Sequence, residues 1–167
     1  MKIENYIPTI KQALLFLVLA VAVAVVRHGF PNSISWKGYW PTSSTSAEDA
    51  YKMMAQEGDP AFLSLQGAIE IHRKNEAIFL DARASKDFIA GRIPGSRNLP
   101  FYEIEEYQEK ALQGLEADTP IVIYCEGIVC ELSFFLGREL QQVGYTNILI
   151  FYGGYPEWSE AGLEIER

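Results

Sequence analysis

One apolar run in the chain leads directly into a cysteine: Ile121-Val122-Ile123-Tyr124-Cys125-Glu126-Gly127-Ile128-Val129-Cys130-Glu131-Leu132. The β-branched and aromatic residues 121–124 predict a buried strand, and the apolar spacing over 131–142 predicts a helix. A thiol between them faces the unpaired N–H groups and the dipole of a helix N-terminus, which stabilise an anion. We therefore expect Cys125 to be a reactive thiolate near neutral pH. The alternative is a small buried hydrophobic residue.

The remainder of the chain alternates short apolar strands with helices. Further strands are predicted at 61–63, 78–80, 97–99 and 148–151, and further helices at 46–56, 64–74, 85–90, 102–112 and 156–161. This alternation predicts an α/β fold with a central parallel sheet flanked by helices. Ligands of such sheets bind beyond the carboxyl ends of the strands, where Asp81, Cys125 and the pair Gly153-Gly154 fall.

Three motifs occur in order along residues 61–166: Asp81-Ala82-Arg83, then Gly91-Arg92-Ile93-Pro94-Gly95, then the cysteine loop followed by Gly153-Gly154-Tyr155-Pro156-Glu157-Trp158. In this order and spacing the sequence resembles the rhodanese family. The resemblance implies a rhodanese-like three-layer domain over 61–167 and sulfurtransferase activity. The donor would be a small sulfur compound such as thiosulfate, or a protein persulfide.

The resemblance also implies roles for individual residues. Cys125 would be the catalytic nucleophile that carries sulfane sulfur as a persulfide. The loop amides would bind that sulfur, with Gly127 turning the backbone, and further residues would line the site. The loop residues are Glu126, Gly127, Ile128, Val129, Cys130 and Glu131, and the lining residues are Asp81, Arg83, Gly153 and Gly154. Arg83 and Arg92 would act mainly in ion pairs that hold loops. This chemistry needs no cofactor and no metal.

The loop departs from the common sulfurtransferase pattern C-x-x-G-x-[RT] at three positions. Gly127 comes second after the cysteine, Glu126 stands where a basic or neutral residue is frequent, and Cys130 replaces the terminal Arg or Thr. Glu131 stands where the related phosphatase branch requires an arginine, which argues against phosphatase or arsenate chemistry. Glu126 and Glu131 would raise the pKa of the thiol and disfavour the thiosulfate dianion if they face inward, whereas Glu126 could instead be solvated. Cys130 is either a resolving thiol that forms a disulfide with Cys125 or a core residue.

Residues 1–30 contain an uninterrupted apolar run, 13–26, between Lys11 and Arg27. We expect one N-terminal transmembrane helix that enters the membrane through residues 10–30. The alternatives are a cleaved secretory signal and a buried core helix. The sequence of residues 31–60 predicts a tether followed by a short helix. A first apolar segment ahead of a long folded domain favours a single-pass protein with an extracytoplasmic, periplasmic domain.

The charge of the chain restricts its partners. Its formal net charge is −8, from 14 Lys/Arg and 22 Asp/Glu, which excludes nucleic-acid binding and favours a protein partner. With a membrane anchor, that partner would be an integral-membrane protein. A second hypothesis is therefore a weakly catalytic or non-catalytic module of the same fold. Such a module would dock on an integral-membrane protein or sense redox state through Cys125 and Cys130.

Overall fold

The computed structural model describes residue 12 and residues 15–19, 46–128 and 130–167. The chain divides into two compact units, Met1–Trp40 and Pro41–Arg167. In the first unit, residues 15–19 are helical and their side chains are exposed. Within the described ranges no helix has the length and apolar character needed to cross a membrane. Most of the predicted anchor and of the tether lies outside these ranges, so both remain predictions.

Five strands of the second unit form one parallel sheet in the order β1-β5-β4-β2-β3. The strands are β1 (Ala61–Leu63), β2 (Ile78–Asp81), β3 (Arg97–Asn98), β4 (Ile121–Tyr124) and β5 (Ile148–Phe151). The four residues of β4 are fully buried, as expected for a central strand covered on both faces. The predicted parallel α/β sheet is confirmed.

Six helices and one 3-10 turn cover this sheet. They are α1 (Ala47–Met54), α2 (Leu65–Lys74), α3 (Ser85–Ala90), a 3-10 turn (Phe101–Glu103), α4 (Ile104–Ala111), α5 (Leu132–Gln142) and α6 (Gly154–Glu160). Ser46 and Ser64 accept the N–H groups of Asp49 and Gly67, which confirms the two predicted N-caps. The last helix begins two residues before the predicted Pro156, because a proline is tolerated in the first turn of a helix.

The alternation of side chains along β4 decides where the cysteine points. Ile121 and Ile123 belong to the hydrophobic cluster that includes Phe134 and Leu136 of α5. Val122 and Tyr124 belong to the opposite cluster, which includes Trp158. Cys125 continues the first alternation and therefore enters the cluster beneath α5. The period of the strand thus directs the thiol toward the start of that helix.

Candidate active site

Cys125 lies directly after β4 and is fully buried. Its Sγ donates to the carbonyl oxygen of Cys130 at 2.9 Å and lies 3.5 Å from Oγ of Ser133, in the first turn of α5. Burial raises the pKa of the Cys125 thiol, and the neighbouring Cys130 thiol raises it further, while Ser133 lowers it. This shift runs against the expected Cys125 thiolate, because burial outweighs the helix terminus in this loop conformation. The reactivity of Cys125 stays a prediction.

The pKa of the Cys130 thiol is shifted in the opposite direction. It is half-buried and packs against the edge of the same cluster, and its N–H donates to the carbonyl of Gly127 at 2.8 Å. The neighbouring Cys125 side chain lowers the pKa of the Cys130 thiol to about 6, outweighing burial, which raises it, and the backbone N–H groups of Leu132 and Glu126 lower it as well. Of the loop N–H groups predicted to bind the sulfur of Cys125, that of Glu126 instead lowers the pKa of the Cys130 thiol, while the N–H of Ser133 lowers the pKa of Cys125.

Two glycines allow the cysteine loop to close against the start of α6. Gly127 has φ +93 and Gly154 has φ +64, a region that side-chain-bearing residues rarely adopt. A Cβ on Gly154 would lie 2.3 Å from the Cys125 carbonyl oxygen and 2.7 Å from the Gly127 nitrogen. The N–H of Tyr155 donates to that same carbonyl at 2.9 Å. The pair Gly153-Gly154 therefore forms the floor of the cysteine loop.

Arg83 joins this loop to the sheet through a buried ion pair. Its guanidinium donates to both carboxylate oxygens of Asp81, with a shortest N–O distance of 2.7 Å, and to the carbonyl of Gly91 at 2.6 Å. The remaining nitrogen, Nη1, donates to Glu126 at 3.1 Å, and the guanidinium lies 4.2 Å from the Tyr155 ring centroid. Asp81 and Arg83 are therefore structural neighbours of the loop and make none of the described contacts with the cysteine sulfurs.

The acidic loop residues take different positions. Glu126 is exposed and accepts from Arg83, which agrees with the solvated alternative and not with the inward-facing one. Glu131 is exposed at the N-cap of α5. Ile128 packs against the core, whereas Val129 lies outside the described residues.

Two buried polar residues near the thiols were not predicted. Ser133 contacts the Cys125 sulfur, and Tyr152, at the end of β5, donates to Sδ of Met54. Burial raises the pKa of Tyr152 to about 12, and the charges of Glu131, Cys125 and Cys130 contribute. Ser133 had a detectable signal, since it is a polar residue between the apolar Leu132 and Phe134 on a helix that begins beside the cysteine.

A cleft of about 230 Å³ opens beside the cysteine loop. Its lining includes Arg83, Lys86, Tyr102, Glu126 and Leu132. A larger groove of about 700 Å³ lies at edge strand β3, between Arg92, Arg97 and Lys110, with neither cysteine in its lining. Among the described residues, no group of three His, Cys, Asp or Glu side chains is placed to hold a metal ion. The smaller cleft borders the cysteine loop through Glu126 and through Leu132 at the start of α5, and neither cysteine is in its lining.

Comparisons with known proteins agree with this geometry. The Rhodanese-like domain family matches residues 64–161. The chain is 31% identical over 101 residues to an HTH-type transcriptional regulator of Mycobacterium tuberculosis, across 59% of the chain but only 42% of that protein. It is 26% identical to a thiosulfate sulfurtransferase GlpE of Actinobacillus succinogenes, across 59% of the chain and 84% of that protein. A rhodanese-related protein of Thermoplasma volcanium is 25% identical with a TM-score of 0.53, across 64% and 97% of the two chains.

The buried ion pair gives a first prediction, on stability. Arg83→Met leaves the Asp81 carboxylate buried without its partner, which should reduce the free energy of unfolding by about 3–5 kcal/mol. The matched control Arg73→Met, at an exposed position, should change it by less than about 0.5 kcal/mol. Urea unfolding of the full chain measures both. Equal losses in the two variants would contradict the role given to Arg83.

A second prediction concerns thiol reactivity. The rate of alkylation of Cys130 by iodoacetamide should rise with pH through about 6 and then level off, because the thiolate is the reactive form. Cys125 should react much more slowly, since its thiol is buried. Peptide mass spectrometry after short exposures measures both rates. In Cys125→Ala the midpoint of this pH dependence for Cys130 should move to higher pH, because the side chain that lowers the pKa of its thiol is removed. Faster labelling of Cys125 than of Cys130 would overturn this assignment.

Proposed function

The chain belongs to the rhodanese-like domain family, and we propose that it is a sulfurtransferase that carries sulfane sulfur as a persulfide on Cys125. The position of this thiol carries the proposal: it ends the central strand and faces Ser133 at the start of α5. In the loading step, the Cys125 thiolate attacks the outer sulfur of a donor, and the remainder of the donor leaves with the electron pair of the broken bond. A thiophilic acceptor then removes the outer sulfur.

Loading requires a change in the cysteine loop. The Cys130 carbonyl accepts from the Cys125 thiol at 2.9 Å, and burial keeps that thiol protonated. When the loop moves away, the cleft reaches Sγ, and the hydroxyl and N–H of Ser133 are left to stabilise the thiolate. Donor binding in the adjacent cleft supplies the contacts that favour this open loop. The resting loop thus protects the nucleophile until a donor is present.

The charges beside the cleft restrict the donor. Glu126 is exposed at the mouth and Glu131 is exposed on the same loop, while Arg83 is already bonded to Asp81 and Glu126. A dianion such as thiosulfate would enter a cleft lined by the carboxylates of Asp87, Glu103 and Glu126, where Arg83 is already bonded and Lys86 is the remaining cation of the lining. The proposed donor is therefore a small sulfur compound of low charge or a protein persulfide.

A third prediction tests the sulfur carrier. To separate the two thiols, the reduced Cys130→Ser variant is incubated with cysteine persulfide, desalted and weighed intact by mass spectrometry. It should gain one sulfur atom, removable by cyanide, and peptide mapping should place that atom on Cys125. The control Cys125→Ser, Cys130→Ser should gain none. A sulfur-free Cys130→Ser variant, or a double variant that still gains sulfur, would refute the proposal and favour the docking or redox-sensing module.

The same experiment distinguishes donors. At low salt, loading by thiosulfate should be at least about tenfold slower than loading by a cysteine persulfide. Introducing Glu126→Gln should reduce this difference in loading rate, because the substitution removes one carboxylate and releases Nη1 of Arg83. An unchanged difference would show that Glu126 does not select the donor.

The proposed location of the enzyme is the membrane, through residues 10–30, with the domain on the extracytoplasmic side. The support is the apolar run 13–26 between Lys11 and Arg27, followed by the interfacial aromatics Trp36, Tyr39 and Trp40. A tether of roughly 15 residues would keep Cys125 within a few tens of ångströms of the bilayer. An integral-membrane protein is then the favoured partner.

A fourth prediction tests this location. Full-length protein should sediment with membranes, resist alkaline carbonate extraction and retain its N-terminal peptide, because a retained anchor is held by its apolar side chains. A surface-bound protein released by carbonate is the reference for the assay. Recovery of a soluble protein that begins near Val25 would instead establish a cleaved signal and remove the case for a membrane partner.

A further inference from the structure

We propose that Cys130 resolves the persulfide by attacking Sγ of Cys125, so that the chain releases the carried sulfur as hydrosulfide and forms a Cys125–Cys130 disulfide. This activity rests on the proposed function, because it begins from a persulfide on Cys125. It differs in its product: the sulfur leaves in reduced form instead of passing to an acceptor. The proposal concerns a reductive branch of the same site.

The first support is the distance between the two cysteines. Both are free thiols, and the Cys130 carbonyl oxygen lies 2.9 Å from Sγ of Cys125. Since a carbonyl oxygen lies about 2.4 Å from the Cα of its own residue, Cα of Cys130 is no more than about 5 Å from that sulfur. A disulfide needs a loop that brings the Cys130 backbone beside the Cys125 sulfur, and this loop does so. Formation of the bond then requires the Cys130 side chain to turn toward that sulfur.

The backbone of the loop maintains this proximity. The N–H of Cys130 donates to the Gly127 carbonyl at 2.8 Å, which folds the loop back over Cys125. Below the loop, Gly154 and the N–H of Tyr155 fix the carbonyl of Cys125. The two sulfurs are thus held on a short closed loop, where intramolecular attack competes well with attack by a dilute external thiol.

The second support is the difference between the two thiols. Cys125 is fully buried, whereas Cys130 is half-buried, and the N–H groups of Leu132 and Glu126 lower the pKa of its thiol. A thiol with a lowered pKa supplies the nucleophilic thiolate at neutral pH. Sγ of Cys125 contacts the Cys130 backbone, and this Sγ becomes the inner sulfur of the persulfide. Attack on the inner sulfur gives a disulfide, whereas attack on the outer sulfur would only move it.

The step balances without an added oxidant. Cys125–S–SH and the Cys130 thiolate give Cys125–S–S–Cys130 and HS⁻. The bond between Sγ of Cys125 and the outer sulfur breaks, and a bond between the two Sγ atoms forms. The outer sulfur leaves with the electron pair and keeps its proton, so the sulfane sulfur is reduced and the two cysteines are oxidised to a disulfide. A dithiol reductant then returns the disulfide to two thiols by two successive thiol–disulfide exchanges and is itself oxidised to a disulfide.

The test follows one turnover of the reduced full-length protein with cysteine persulfide, which leaves as cysteine on loading, and with no other reductant present. The wild type should release one HS⁻ per chain above the background of Cys125→Ser, lose both titratable thiols and yield a disulfide-linked Cys125–Cys130 peptide. Cys130→Ser should keep one extra sulfur on Cys125 and release HS⁻ at least about tenfold more slowly. Cys130→Ala repeats the test with a second side chain.

The outcomes separate the two proposals. If Cys130→Ser and Cys130→Ala gain no sulfur on Cys125, the carrier itself is wrong. If both gain it, and the wild type also retains the persulfide with Cys130 unlinked, the carrier stands and the resolving role of Cys130 is overturned. Sulfur found on Cys130 in Cys125→Ser would also overturn that role, because Cys130 would then be a carrier.

Discussion

The buried ion pair between Arg83 and Asp81 is the contact on which the arrangement of the site depends. Asp81 ends β2 inside the protein, where an unpaired carboxylate would be costly, and Arg83 satisfies both of its oxygens. The same guanidinium reaches Gly91, Glu126 and the ring of Tyr155. Residues 91, 126 and 155 are thereby fixed relative to the carboxyl end of the sheet. Burying the guanidinium charge carries a desolvation cost, which these contacts together must offset.

The packing that positions Cys125 also protects it. The alternation of side chains along β4 directs the thiol under α5. Gly154 lies close to the Cys125 carbonyl, and the N–H of Tyr155 donates to that carbonyl and holds the base of the loop. A buried thiol with a raised pKa is inert, so catalysis at Cys125 requires movement of the part of the loop that carries Cys130. Cys130 remains half-buried, and the pKa of its thiol is lowered, whereas Cys125 is fully buried.

Most of the fold could be predicted from the sequence, because short apolar strands and serine caps act locally. The bounds of β4 and β5 and the caps at Ser46 and Ser64 match their predictions. The ionisation of the cysteines could not be predicted, since it depends on which sulfur the loop amides face. The partner of Glu126 is 43 residues away, and Tyr152 approaches the thiols only through sheet pairing. These are tertiary contacts with no local signal.

The most direct test of sulfur transfer through Cys125 is a crystal structure of the Cys130→Ser variant after polysulfide treatment. Difference density should show one additional sulfur bonded to Sγ of Cys125, with residue 130 displaced from that sulfur and the Asp81–Arg83 pair unchanged. Suppose that the protein takes up sulfur in solution at another residue and that Cys125 is unmodified in the crystal. This result would contradict sulfur transfer through Cys125.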